Sequence, residues 1–229
     1  METTYIGFGG RKGGISKTTI ATVLANRLVY KHKKKVIFVD GDPQRSVIKR
    51  RDVDLNEFES SDLPDNLYEI IYIDPNNMLD IVLGFEGEYD YVILDFPGAT
   101  DIPGVKRSYL ACDHLFIPMD VSPLEFDSNI EFIEEIQKEQ APKRESAGYD
   151  PMIIRGIFSR IFINQKEYKL YSSKEGRAQL PIEFLKNPVP YMSDVLKRNI
   201  NTVVDYETLL PKNKKLGILE EFDKLYVKN

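Results

Sequence analysis

The residues best suited to chemistry lie close together near the start of the chain, in Gly9-Gly10-Arg11-Lys12-Gly13-Gly14-Ile15-Ser16-Lys17-Thr18-Thr19. Glycines let backbone N-H groups converge on anionic oxygens, and the first turn of a following helix adds its dipole. A lysine can reach the outer phosphates, and a hydroxyl can complete a Mg2+ shell. The strict pattern G-x-x-x-x-G-K-[ST] is missed at both glycines, because Arg11 and Ser16 stand there. Two plainer readings compete: a turn that only joins a strand to a helix, and a dinucleotide fingerprint. The second fails, since Gly7-Phe8-Gly9 is followed three residues later by Lys12 and not by glycine.

Carboxylates supply the other half of the chemistry. Val36-Ile37-Phe38-Val39-Asp40-Gly41-Asp42-Pro43-Gln44 places two of them just past an apolar run. They could cap the next turn or helix, or they could serve a ligand. Tyr91-Val92-Ile93-Leu94-Asp95 is the second such run. An aspartate closing a buried strand beside a phosphate loop is placed to reach a Mg2+ through water.

Lys12-Gly13-Gly14-Ile15-Ser16-Lys17-Thr18, with two lysines five apart, resembles the deviant Walker A motif K-G-G-x-x-K-[ST] of the ParA/MinD family of dimeric ATPases. The resemblance implies that residues Arg11, Lys12, Gly13, Gly14, Ile15, Ser16, Lys17, Thr18 and Thr19 surround the phosphates of ATP. It implies that Lys17 holds the β and γ phosphates of its own nucleotide, while Lys12 crosses a dimer interface to the partner's nucleotide. Ser16 replaces the family's usual glycine, and crowds the cradle if that position needs φ > 0. By the same resemblance Asp42 orients the attacking water, making Lys12, Lys17 and Asp42 the catalytic set. Thr18, Asp40 and Asp95 gather Mg2+, partly through water, and Phe96-Pro97-Gly98 occupies the second switch. The similarity continues through Ile117-Pro118-Met119 to Asn187-Pro188-Val189-Pro190, where it implies that Pro190 lies at the adenine base. The basic residue usual after that proline is Tyr191 here.

These residues need elements to position them. Apolar, β-branched runs recur at 5 to 8, 36 to 39, 68 to 73, 91 to 94, 115 to 119 and 152 to 158, each short enough for a buried strand. Between the first two, Ile20, Val23, Leu24 and Leu28 have helical spacing and lead into the basic stretch Lys31 to Lys35. Such alternation predicts an α/β fold, a mostly parallel twisted sheet with helices on both faces, with ligands at the carboxyl edge. Residues 1–229 read as a single domain, and the acidic stretch 52–65 reads as a surface excursion from it.

Composition removes other classes. One cysteine, Cys112, and two histidines, His32 and His114, leave no material for a disulfide framework, a zinc cluster or an iron-sulfur centre within one chain. No apolar run approaches the roughly 18 residues of a membrane span, and no signal-peptide layout is seen, which predicts a cytoplasmic protein. Lys+Arg 31 against Asp+Glu 36 gives a net charge of −5. The charge is unevenly spread, since residues 155 to 215 carry twelve Lys/Arg and six acids. That basic stretch is either a solvated face or a set of phosphate contacts, with Arg177, Lys186, Lys197 and Arg198 as candidate DNA-binding residues.

The resemblance then implies an ATP hydrolase that forms a homodimer with ATP sandwiched between subunits. It would associate with DNA without sequence preference and act at the nucleoid in segregation or positioning of a plasmid, chromosome or mobile element. A ParB-like or other DNA-bound partner would stimulate hydrolysis. The alternatives are a MinD-like membrane-associated positioning ATPase, a low-turnover scaffold, and a small-molecule kinase or dethiobiotin-synthetase-like enzyme on the same nucleotide fold. Three acids, Glu220, Glu221 and Asp223, interrupt the amphipathic segment Leu216 to Val227. They favour a helix packed on the domain over one lying on an anionic membrane.

Overall fold

The computed structural model describes residues 2–11, 13–59, 63–99, 102, 104–191, 201–210 and 216–227. All six apolar runs form strands: β1 (Thr4–Phe8), β2 (Val36–Asp40), β3 (Glu69–Tyr72), β4 (Tyr91–Asp95), β5 (His114–Met119) and β6 (Ile153–Ile161). Two short strands, β7 (Glu183–Phe184) and β8 (Val189–Pro190), complete the sheet. Its order is β3-β2-β4-β1-β5-β6-β7, with β8 also on β6, and every ladder is parallel.

Helices cover both faces: α1 (Lys17–Asn26), α2 (Ser46–Glu57), α3 (Pro75–Val82), α4 (Val105–Ser108) and α5 (Pro123–Glu135), then α6 (Ala141–Ser146), α7 (Lys166–Ser172), α8 (Lys174–Arg177), α9 (Tyr206–Leu209) and α10 (Gly217–Tyr226). Strand side chains alternate between two apolar layers. Ile6, Phe8, Phe38, Ile93 and Phe116 meet α1 and α10, while Ile37, Val39, Leu94 and Ile117 meet α3 and α5. Because both faces are covered, β2 and β4 are buried at every residue, and their sequences are apolar up to the terminal aspartate.

The predicted helix is present, and a π-helical turn (Arg27–Lys31) extends it. At its end the buried Arg27 bonds Asp223 through Nε (3.0 Å) and Nη2 (2.6 Å), and Asp205 and Glu207 through Nη1 (3.1 and 2.5 Å). That clamp fixes α10 to the helix that leaves the phosphate loop. Helix α10 buries Ile218, Leu219, Phe222 and Tyr226, as its amphipathic pattern suggested.

Within the stretch 52–65, whose described residues lie mostly at the surface as expected, Asp54 is the exception. Residues up to Glu57 are helical, and Asp54 is fully buried, accepting from the backbone N-H (2.6 Å) and hydroxyl (2.7 Å) of Thr202. An acid counts as polar in any hydropathy pattern, so a buried carboxylate with distant partners reads as surface.

Candidate nucleotide site

The strand order puts β4 between β2 and β1, so Asp40 lies beside Asp95, and Asp95 beside Phe8, in register. The loop after β1 therefore emerges next to both carboxylates, at the carboxyl edge of the sheet. In that loop Gly10 (φ 138), Gly14 (φ 78) and Ser16 (φ 70) have positive φ, and α1 starts at Lys17. Runs of this kind turn successive N-H groups toward one side, which suits an anion. Ser16 is thus a serine in glycine's conformation, and it does need φ > 0.

Lys17 is buried at the head of α1. Burial depresses its ammonium, while the charges of Asp95 and Asp42 oppose that shift. Asp95 is buried as well, and burial raises its carboxyl. The Thr18 hydroxyl and Lys17 pull it back down, and Asp40 and Asp42 push it further up. Neither Asp95 oxygen has a hydrogen-bond partner of good geometry among the described residues. A buried carboxylate without a well-formed hydrogen bond, beside a threonine hydroxyl, fits a hydrated divalent cation.

The other two aspartates do different work. Asp40 is fully buried and accepts from the N-H groups of Asp42 (3.1 Å) and Val47 (3.0 Å), so it shapes the loop and caps the start of α2. Burial raises its carboxyl and these two bonds oppose the shift. Gly41 follows it, where a Cβ would stand 2.5 Å from the flexible Met78 Cε and 3.0 Å from the Asp95 carbonyl oxygen, so a side chain there would press on the end of β4. Asp42 is half-buried and accepts from the Gln44 N-H (2.9 Å). An open cleft of about 490 Å³ joins Arg11, Gly13, Asp42, Pro43, Gln44 and Pro97.

The structure brings Lys17, Thr18, Asp40, Asp42 and Asp95 to one edge with the loop from Gly13 to Thr19. The Arg11 side chain turns away, to Glu131 and Glu135 of α5 at 2.9 Å each, so its position in the loop offers backbone only. Lys12 lies outside the described residues. Pro190 sits in β8 against Ile161, and Tyr191 beyond it stacks on Phe162 at 4.8 Å. Of the candidate DNA contacts, Arg177 donates to the carbonyls of Ser172 (3.2 Å), Phe184 (3.0 Å) and Leu185 (3.3 Å), which commits its guanidinium within the chain. Lys186 is exposed, whereas Lys197 and Arg198 lie outside the described residues. One cation near the loop was not singled out by sequence: Arg160 reaches the Gly14 carbonyl at 3.4 Å. Nothing in its spacing marks it, because the contact depends on an irregularity in β6.

Sheet order, positive-φ loop and converging carboxylates define a nucleotide-binding α/β protein of the phosphate-loop class. A model of the CobQ/CobB/MinD/ParA nucleotide binding domain matches residues 6–202, and the chain belongs to that family. It is 28% identical over 138 residues to the maintenance of carboxysome distribution protein A of Halothiobacillus neapolitanus (strain ATCC 23641 / c2), covering 59% of this chain and 60% of that protein. The fold resembles the septum site-determining protein MinD of Pyrococcus horikoshii OT3 complexed with Mg-ADP, with a TM-score of 0.67 and 15% identity over 99% and 96% of the two chains. It also resembles a plasmid partition protein of Borrelia burgdorferi B31 bound to AMPPNP, with a TM-score of 0.64 and 19% identity over 98% and 97%. Among the described residues no helix is long and apolar enough to cross a membrane.

Proposed function

We propose that residues 1–229 form one ATPase unit that binds Mg-ATP at the loop between β1 and α1 and pairs with a second copy around the nucleotide. Hydrolysis would position or segregate a cargo on DNA. The observation that carries this reading is the buried Asp95 carboxylate, with no hydrogen bond of good geometry, beside Lys17 and Thr18. A fold similar to a partition protein bound to AMPPNP and to a septum protein complexed with Mg-ADP supports a ligand of the same class.

Phosphoryl transfer depends mostly on positioning and charge neutralisation. Mg2+, when bound, would supply charge that offsets the build-up on the phosphates, and Thr18 and Asp95 would hold it. The loop N-H groups and Lys17 would hold the β and γ phosphates, and Asp42 would orient water for in-line attack. Lys12 from the second subunit stabilises charge in the transition state, so turnover requires the dimer. The DNA-bound, nucleoid-associated role rests on the basic stretch from 155 and on likeness to partition proteins. With α10 packed onto the core, the described C-terminal segment offers no free apolar face to a membrane.

Lys12→Ala is expected to bind ATP within about threefold of wild type and to lose hydrolysis by about a hundredfold or more, the scale of a charge-stabilising group. Equilibrium nucleotide binding beside phosphate release measures both, and normal turnover in this variant would remove the cross-subunit role. Plasmid against liposome co-sedimentation, with and without ATP, tests the matrix. ATP-dependent binding to plasmid that weakens steeply with salt is expected, and liposome binding instead would favour the membrane alternative.

A further inference from the structure

Among the described residues four non-glycines have φ in the left-handed region, and of these Arg160 (φ 60) lies within a strand. The cause is a bulge. Ser159 pairs with Val189 and Ile161 with Pro190, so Arg160 is the extra residue on β6 opposite β8. A left-handed arginine in a strand is unfavourable, and such outliers concentrate where a side chain must be aimed.

The bulge sends the guanidinium to the phosphate loop. Nη1 meets the Gly14 carbonyl at 3.4 Å, and the guanidinium carbon stands 5.6 Å over the ring of Tyr191. Tyr191 stacks on Phe162 with an interplanar angle of 27°. Nε is buried with no hydrogen-bond partner among the described residues, so packing on the ring alone does not satisfy the group.

In a trans peptide the C=O of one residue and the N-H of the next point in opposite directions. Holding the Gly14 carbonyl on the β6 side therefore aims the Ile15 N-H the other way. A flip of this peptide changes ψ of Gly14 and φ of Ile15: Gly14, with no heavy atom within 4 Å of a would-be Cβ, yields readily, so the resistance comes from the buried Ile15 and from the Arg160 contact. A flip would present a carbonyl oxygen where an anion needs a donor.

We propose that Arg160 is a positioning residue for the nucleotide: from the β6 bulge it holds the Gly14 carbonyl and so keeps the Ile15 N-H facing the phosphates. The inference rests on the nucleotide reading of the loop. It predicts an effect on every nucleotide that places phosphates in the loop, not on ATP alone. Tyr191 serves as a rest for the cation and has no separate role in affinity.

Arg160→Gly is the informative variant, because glycine suits φ 60 and removes the guanidinium without adding backbone strain. Fluorescent ATP and ADP analogues are titrated into wild type, Arg160→Gly, Arg160→Lys and Tyr191→Leu, with KM, kcat and apo thermal midpoint measured alongside. Arg160→Gly should weaken ATP and ADP alike by about tenfold, the scale of one hydrogen bond to a charged group, with KM rising and kcat held within about twofold. Arg160→Lys keeps a single donor for Gly14 and should recover affinity to within about threefold, and Tyr191→Leu should stay within about twofold. Unchanged affinity in Arg160→Gly with only a lowered thermal midpoint overturns the proposal. So does a loss for ATP but not ADP, which would mean direct contact with the terminal phosphate. Wild type that binds neither nucleotide would refute the nucleotide reading itself, a distinct outcome.

Discussion

Ser16 shows how a single position can trade local strain for geometry. Its φ of 70 is the conformation that glycine adopts freely and a β-carbon resists. The loop nonetheless needs that turn to bring Lys17 to the head of α1. Ser16→Gly should therefore raise apo stability by about 0.5–1 kcal/mol, offset in part by the greater freedom of glycine in the unfolded chain. Urea unfolding of the two proteins measures it, and a less stable glycine variant would contradict the strain argument. The same scale explains what the site sequence showed and what it hid. Lys17, Thr18 and Asp95 were legible because strand, turn and helix order fixes them. Arg160 was not, because a bulge lies between its place in the sequence and its place in the site.

Element by element, the apolar periodicity was a faithful guide to what is buried and a poor one to which polar groups join it. Six runs became six strands, while β7 and β8, at two residues each, are too short to show a pattern. Helix α2 inverts the usual reading. Val53 and Leu55 are 42% and 40% exposed, and the acid between them is the residue sealed inside. Asp54 holds Thr202, whose carbonyl also receives Tyr30 (2.8 Å) and Arg51 (3.0 Å), so α1, α2 and the segment before α9 meet at one threonine. Asp54→Ala would strand the N-H and hydroxyl of Thr202 and take a counter-ion from the Arg50 guanidinium, and should cost about 2–4 kcal/mol. Leu55→Ala should change stability by no more than about 0.5 kcal/mol. Equal losses from the two, by chemical denaturation, would mean the carboxylate is not the anchor. Arg177 teaches a related lesson: a basic residue in a basic stretch spends its donors on carbonyls of its own chain.

At the scale of the whole molecule, acidity acts on stability through His114 at the start of β5. Burial, and secondarily the charge of Arg155, lower His114 to about 4, and its Nδ1 accepts from Arg155 at 3.3 Å. The unfolded histidine titrates near 6.5, so between about 6.5 and 4 the unfolded chain binds more protons than the folded one. Stability from this residue is complete above 6.5 and is lost as pH falls toward 4. His114→Gln should flatten that decline by about 1–2 kcal/mol between pH 7 and pH 4.5, with no change above pH 7. Denaturation midpoints across the range check it, and parallel curves for the two proteins would show that His114 does not titrate in this window.

Helix α10 has a consequence for how the chain folds. Phe222 packs on Phe116, and Asp223 is a counter-ion of the buried Arg27, so the helix that leaves the phosphate loop is completed by residues far from it in sequence. Without them, Arg27 keeps Asp205 and Glu207 but loses both bonds to Asp223, and the apolar layer beneath it lies open. A polypeptide lacking α10, with its phosphate loop and all three aspartates intact, would thus leave Phe116 uncovered and the helix that leaves the nucleotide loop poorly anchored.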